Sequence, residues 1–177
     1  MLKKSLTFGL LLLCLFLVSC KNQVDYSKSS IEPPDLSTSD ADYKLDFIVM
    51  HNYVIESIQS EVTPFFYILK NEFDIDGNNE EKIIEVKCKC MDGCVKNDID
   101  LFFSMVLNYI AINAAEQDYR FKTPSVSNDG TYLDYGNVFE TYSLKLYAET
   151  ESGEIIYDTI IKNGDNIPID PRYIKES

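Results

Sequence analysis

The sequence predicts an α+β domain in which an antiparallel sheet of four to five strands, formed by two hairpins, carries two helices on one face, in the order α-β-β-α-β-β. Two segments have apolar residues at the spacing of a helix. Two pairs of β-rich segments are each interrupted by a short stretch of turn residues, as expected of hairpins. The chain has 177 residues, and the 158 that follow a predicted signal suit one domain with its own core.

The first predicted helix covers residues 42–62, where apolar side chains recur among Asp, Lys, Glu and Gln. Ser39 or Asp40 is placed to cap its N-terminus. Apolar residues also alternate over residues 45–49, so a strand is a second interpretation of this start.

The first predicted hairpin joins a strand at residues 65–75 to a strand at residues 82–90. The acid-rich sequence DGNN separates them, and Asp76-Gly77 is a common turn pair.

The second predicted helix covers residues 98–117 and is capped by Asn97 or Asp98. Ile, Phe, Met, Val and Tyr side chains occupy most of its circumference, which leaves only a narrow polar stripe. Such a helix must be buried on several sides.

A long connection, residues 118–136, follows this helix. We expect it to cover the remaining apolar side with Phe121, Val126 and Tyr132, which, together with the strong negative charge, predicts a monomer. Tyr132 and Tyr135 are also candidates for ligand recognition, because long loops often carry function and Tyr is favoured at interfaces. The alternative is that both tyrosines pack normally at the start of a strand.

The second predicted hairpin joins residues 138–150 to residues 154–162 through a three-residue loop, with Gly153 in the left-handed conformation. One face of its first strand is apolar and is predicted to point inward: Tyr142, Leu144, Leu146 and Ala148.

The N-terminus has the features of an export signal. Residues 1–4 carry two lysines, residues 6–18 form an uncharged, mainly apolar run, and Leu-Val-Ser then precedes Cys20. This pattern resembles the lipobox of bacterial lipoproteins. The resemblance implies that residues 1–19 are removed as a signal peptide and that the thiol of Cys20 receives a diacylglyceryl group.

The resemblance also implies where the protein lies. Acyl chains on Cys20 would anchor the protein to a lipid bilayer of the bacterial envelope. Residues 20–42 are polar and proline-containing, which predicts a disordered tether. A single domain would follow at residues 43–163, and then a polar tail at residues 164–177. Lys21 does not resemble an aspartate-type retention signal for the inner membrane, so the outer membrane is favoured.

The composition is strongly acidic. Lys and Arg number 16 and Asp and Glu number 29, and removing residues 1–19 takes away two basic residues and no acidic one, which leaves a net charge of −15. This charge argues against nucleic acid as a partner, since Lys and Arg contacts with phosphate drive such binding. It also argues against electrostatic attachment to anionic lipid.

Cys88, Cys90 and Cys94 form a cluster in which an exported protein is expected to have a disulfide. Cys88 and Cys90 are poorly placed to pair with each other, so the candidates are Cys90–Cys94 and Cys88–Cys94. The alternative is a thiolate site for a soft metal such as Cu(I) or Zn(II).

The first hairpin also contains a pattern that approximates a calcium-binding EF-hand loop. Its oxygen side chains are Asp74, Asp76, Asn78, Glu80 and Glu85. Asn79 replaces the usual glycine, and a strand follows where an EF-hand has a helix. A solvated acidic turn is therefore the alternative to Ca²⁺ binding.

Motifs of common enzyme families are absent: the chain has no G-x-S-x-G, no H-E-x-x-H, no phosphate-binding glycine loop and no dinucleotide fingerprint. His51 is the single histidine and is interpreted as an ordinary residue at a helix edge. The sequence therefore predicts a non-enzymatic module, without a cofactor, that binds an envelope or surface protein or another ligand. A metal-binding module and a small hydrolase without a readable motif are the alternatives.

Overall fold

The computed structural model describes residues 42–60, 67–128 and 134–169. Its elements are α1 (Phe47–Ser60), β1 (Ile68–Asn78), β2 (Ile83–Cys90), α2 (Lys96–Gln117), the one-turn helix α3 (Val138–Thr141), β3 (Ser143–Thr150) and β4 (Ile155–Ile161). The α+β class is therefore confirmed. The third strand begins later than predicted, because residues 138–141 form α3 instead.

The four strands form one sheet in the order β1-β2-β3-β4. β1 pairs with β2, and β3 with β4, in antiparallel hairpins, but the central strands β2 and β3 are parallel. The prediction of an all-antiparallel sheet was therefore wrong at its centre. The reason is the connection: α2 and the segment after it carry the chain back along the sheet, so β3 starts at the same end as β2.

The turn of the first hairpin lies later in the chain than predicted. Residues 79–82 form it, whereas Asp76 and Gly77 belong to β1. A Cβ at position 77 would lie 2.4 Å from the ring of Phe47. Gly77 therefore allows α1 to approach the sheet closely and does not serve as a turn residue.

α1 begins at Phe47, later than the helix that the sequence predicts, so Ser39 and Asp40 are too early to cap it. Asp46 forms the cap instead, because its carboxylate accepts hydrogen bonds from the second and third N–H groups of the helix at 3.0 and 3.1 Å. The alternative strand at residues 45–49 was also wrong, because residues 47–49 belong to α1.

α2 begins at Lys96, so the predicted caps Asn97 and Asp98 lie inside the helix. Val95 occupies the N-cap position, and the Asp98 carboxylate accepts the N–H of Val95 at 3.2 Å. An acidic residue in the first turn also interacts favourably with the helix dipole.

Both long helices cover the same face of the sheet, as predicted. The ring of Phe102 on α2 lies 5.3 Å from that of Phe73 on β1. The ring of Phe103 lies 5.3 Å from that of Tyr157 on β4. The inward side chains of the two central strands are buried: Ile84, Val86, Cys88, Cys90, Leu144, Leu146 and Ala148. In the second hairpin, Gly153 has the predicted left-handed conformation, with a φ of +87°.

α2 is buried on most of its sides, as its apolar circumference predicts. Phe102 and Phe103 are buried, and Met105 and Ile112 are partly buried. Among the described residues, α2 is the one helix long and apolar enough to cross a membrane by length and composition, a criterion that a buried core helix also meets.

The long connection and the C-terminal segment supply part of the cover over the core. Four of their side chains are buried in it: Phe121, Tyr135, Ile167 and Ile169. The core therefore continues past residue 163. Val126 is 50% exposed, so it does not provide the predicted cover. Tyr132 lies outside the described residues.

The domain has two ends, which we call proximal and distal. At the proximal end the described chain enters the domain at Asp42, which lies 2.9 Å from the ammonium group of Lys82 in the β1–β2 turn. At the distal end β2 finishes at Cys90, directly beside Thr150 at the end of β3. α2 starts at the distal end and finishes at the proximal end.

Candidate functional site

The proximal end holds the incoming chain by side-chain hydrogen bonds. The side-chain amide of Asn79 accepts a hydrogen bond from the N–H of Leu45 at 2.8 Å and donates one to its carbonyl oxygen at 2.9 Å. The Gln117 amide does the same for Asp46, at 2.6 and 3.1 Å. Because Asn79 and Gln117 come from distant parts of the chain, tertiary structure determines the path of residues 45–46.

Tyr43 lies between a cation and an aromatic ring at the same end. The guanidinium carbon of Arg120 lies 4.1 Å from the centroid of its ring, and the Phe121 ring lies 4.8 Å away. The Tyr43 carbonyl oxygen accepts hydrogen bonds from the Tyr142 hydroxyl at 3.1 Å and from the Lys82 ammonium group. Burial raises the pKa of Tyr142 well above its usual range, so this hydroxyl stays protonated.

Arg120 forms an ion pair with the buried Asp118. Its Nε and Nη2 atoms lie 3.0 and 2.6 Å from the two carboxylate oxygens of Asp118, which is buried. Burial alone would raise the pKa of the Asp118 carboxyl, but hydrogen bonds from the side chain and the backbone of Arg120 outweigh it, and the pKa is lowered. The pair is therefore ionised at neutral pH.

The candidate calcium ligands lie along an extended hairpin. Asp74, Asp76 and Asn78 follow one another on β1, and Glu85 is paired with Asp76 across the hairpin. The side-chain oxygen of Asn78 accepts the N–H of Glu80 at 2.8 Å, so it stabilises the turn. The segment does not curl around a common centre as an EF-hand loop does.

Glu85, one of the candidate calcium ligands, forms ion pairs with two lysines. Its Oε2 lies 2.8 Å from the Lys87 ammonium group and 3.3 Å from that of Lys145. The Lys87 hydrogen bond is the main reason that the pKa of Glu85 is lowered. Over the residues that the structure describes, no group of three or more His, Cys, Asp or Glu is placed to hold a metal ion. Calcium binding stays a prediction.

The sheet face opposite the helices continues this pattern of cross-strand pairs. Lys89 on β2 lies 3.4 Å from one carboxylate oxygen of Glu149 on β3, and the Tyr147 hydroxyl donates to the other at 2.7 Å. These groups are partly exposed and bind one another, so the face is ordered and polar.

His51 satisfies a backbone donor of the edge strand β1. Its Nδ1 accepts the N–H of Ile75 at 3.1 Å and also lies 3.1 Å from Oδ1 of Asp74. The ring stacks beside Phe73, with the centroids 6.4 Å apart. This use of the only histidine is structural, since edge strands otherwise present such donors to other chains.

Tyr135 is a core residue. Its side chain is fully buried, and its hydroxyl lies 2.9 Å from Oγ of Ser104 and donates to the carbonyl oxygen of Ile169 at 2.6 Å. The burial of this side chain favours the alternative interpretation, in which the tyrosine packs within the domain, and its role in ligand recognition stays a prediction. Tyr132, the other candidate, is not among the described residues.

The three cysteines lie at the distal end and carry free thiols in the structure. Cys88 and Cys90 are buried, and Cys94 is partly exposed. Burial is the main reason that the pKa values of Cys88 and Cys90 are each raised to about 12. Such thiols are protonated at neutral pH, and a metal ion would have to displace their protons. The disulfide and the thiolate metal site both stay predictions.

Apolar side chains are exposed at the distal end, two of them on the loop after β2 and one at the start of β4. Met91, Val95 and Ile155 are 44%, 58% and 56% exposed. The Asp92 carboxylate accepts the N–H of Ser152 at 2.9 Å, which joins the loop after β2 to the β3–β4 turn. We call Met91, Val95 and Ile155 the distal apolar group.

Sequence reasoning missed the distal apolar group. Met91 and Val95 lie next to Cys90 and Cys94, and their exposure depends on how the loop packs against the domain, which the local sequence does not specify. Ile155 is followed by a second isoleucine, and this departure from strict alternation is the local signal that one of the two points to solvent.

The fold and these surfaces define a two-layer α+β domain with a mixed four-stranded sheet and two structurally different ends. No protein-family model, curated protein or solved structure matches the chain.

Proposed function

We propose that this chain is a lipid-anchored protein of a bacterial envelope, held through Cys20, whose acidic domain binds another protein with its distal end. One observation supports the binding role. The chain enters at the proximal end, whereas the distal apolar group is exposed at the opposite end. A tether at residues 20–42, with an r.m.s. reach of roughly 25 Å, would leave the distal end free to meet partners.

The chemistry of the distal end supports one kind of partner. Its apolar side chains are accompanied by the exposed acidic residues Asp92, Glu151 and Glu154. Protein interfaces combine an apolar centre with a polar rim, and opposite charges favour encounter. The partner is therefore a protein surface on which apolar side chains are flanked by Lys or Arg, in the same envelope or outside it.

Site-specific photo-crosslinking tests the binding role. A photoreactive amino acid replaces Val95 or Ile155 in the full chain, which is expressed with its own signal in the source cells. The matched control is Ile48, which is 70% exposed at the proximal end. We expect one crosslinked product of the same mass from positions 95 and 155, weaker at high salt, and none from position 48. Equal crosslinking from position 48, or no product from the distal positions, would overturn the proposal.

Cell fractionation of Cys20→Ala tests the anchor. We expect the wild type in the membrane fraction with a lipid increment in its mass, and the variant without that increment. Cys14→Ala, a change within the apolar run of the signal, is the matched control and should behave as the wild type. Lipidated, processed protein from the Cys20 variant would exclude the lipoprotein assignment. Separation of inner and outer membranes then tests the preference for the outer membrane.

A further inference from the structure

A tight turn brings Cys94 back towards the end of β2. The N–H of Cys94 donates to the carbonyl oxygen of Met91 at 3.3 Å, and Gly93 has a φ of +90°, which glycine adopts without strain. After this reversal the Cys94 side chain packs against the core, on the side to which the other two cysteines point. A chain that continued away from the sheet would have separated the three sulfur atoms.

Cys90 is the cysteine nearest to this turn. Its side chain interacts with that of Cys94, and its Sγ lies 3.5 Å from the carbonyl oxygen of Glu149. Cys88 lies two residues before Cys90 on β2, which places it about 7 Å further from the turn. The Cβ atoms of a disulfide are only about 4 Å apart, so Cys88 is poorly placed to reach Cys94.

We propose that Cys90 and Cys94 form a disulfide in the exported protein and that Cys88 remains a buried free thiol. The oxidant is a disulfide, of an exchange protein or a small molecule. The partly exposed Cys94 attacks it as the thiolate and forms a mixed disulfide. The Cys90 sulfur then attacks the Cys94 sulfur of this mixed disulfide, which forms the Cys90–Cys94 bond and releases the second sulfur of the oxidant. Two protons and two electrons leave the cysteine pair, and the oxidant becomes two thiols.

The position of the bond gives it a structural role. It links the last residue of β2 to the residue two places before α2, and so holds the loop that carries Met91 in position.

Peptide mapping of the full chain tests this pairing. The lipidated protein is purified in detergent, its free thiols are alkylated with iodoacetamide in denaturant without reductant, and it is then digested with trypsin. Cleavage after Lys87, Lys89 and Lys96 places Cys88 in one short peptide and both other cysteines in the peptide of residues 90–96. We expect this second peptide unalkylated and lighter by two hydrogen atoms than its reduced form, with Cys88 alkylated.

Two other outcomes would overturn the inference. A doubly alkylated 90–96 peptide means that no disulfide forms, and a 90–96 peptide linked to the Cys88 peptide means that the pairing is different. Cys88→Ala is the matched variant and should retain the closed peptide. Its loss in that variant, with Cys90 and Cys94 both alkylated, would also overturn the pairing. The wild-type map is decisive even if a variant folds poorly.

Discussion

The proximal and distal ends of the domain differ in how they hold the chain. At the proximal end, Asn79 and Gln117 each make two hydrogen bonds to the incoming backbone, and the buried Asp118 is paired with Arg120. At the distal end, two loops are joined through the Asp92 carboxylate, and three large apolar side chains are exposed.

Because of this difference, the proximal end contributes to the stability of the domain, whereas the distal end exposes side chains that a partner could contact. The hydrogen bonds from Asn79 and Gln117 join residues far apart in the chain, so they form only in the folded domain, and the loss of such a contact reduces its free energy of unfolding. The exposed distal side chains bury little surface on folding. They can therefore be altered without unfolding the domain, which is a useful property for a surface that binds a partner.

The largest effect is expected from Gly77→Ala near the proximal end. The new Cβ would lie 2.4 Å from the Phe47 ring and 2.6 Å from the carbonyl oxygen of Ile83. Because the second contact is with backbone, β1 and β2 must separate, and overpacking of this kind lowers the free energy of unfolding by about 3 kcal/mol. Urea unfolding followed by circular dichroism measures the change.

Gly93→Ala at the distal end is the control for this substitution. A Cβ added at position 93 would have no other atom within 4 Å, so only the left-handed backbone conformation opposes the change. We expect a loss of about 1 kcal/mol. Equal losses for the two variants would show that the ends do not differ in packing.

The second effect concerns the ion pair of the proximal end. Asp118→Asn removes the charge that Arg120 binds while it keeps the shape of the side chain. A hydrogen bond to a charged group contributes about 2 kcal/mol, so we expect a loss of this size at pH 7. Glu116→Gln, two residues earlier at an exposed position, is the control and should change little.

The pH dependence of this loss follows from the lowered pKa of Asp118. The carboxyl of the unfolded chain has a pKa near 3.8, and that of the folded domain is lower. The pair therefore contributes its full stability above pH 3.8, and the contribution disappears as the pH falls through the folded pKa. The difference between the wild type and Asp118→Asn should narrow on acidification. A difference that is constant with pH would rule out this origin.

The smallest effect on stability is expected from Val95→Ala at the distal end. The side chain is 58% exposed, and Ala and Val are similarly poor N-cap residues, so the free energy of unfolding should change by less than about 0.5 kcal/mol. Crosslinking from position 155 should nevertheless fall, because the substitution removes apolar surface that a partner would bury. Ile48→Ala, the proximal counterpart, should leave that crosslinking intact. The comparison fails if Val95→Ala unfolds the domain.

Much of the fold could be predicted because its signals are local. The inward face of β3, the buried circumference of α2 and the left-handed Gly153 are all written in short patterns. The parallel pairing of β2 with β3 could not be predicted in this way, because side chains alternate equally in parallel and antiparallel strands. The position of the first turn was also missed, since the space at Gly77 depends on Phe47, which is distant in sequence.

The candidate site was harder to predict than the fold. The cysteine cluster and the acidic hairpin were visible as residue types, but the hairpin proved to be extended, and Glu85 binds lysines. Tyr135 was visible too, yet only its hydrogen bond to Ile169 shows that it faces the core. Exposure and partners depend on which surfaces meet, and residue identity alone does not specify this.

The sequence by itself determined most of the secondary structure, the acidic character and the resemblance to a lipobox before Cys20, because these depend on composition and on residues close together in the chain. Only the tertiary structure decided that the central strands are parallel, that Asn79 and Gln117 hold the incoming chain, and that Cys94 packs against the core at the opposite end. The physical reason is the crossover through α2, which places segments remote in sequence side by side and separates the two ends of the domain.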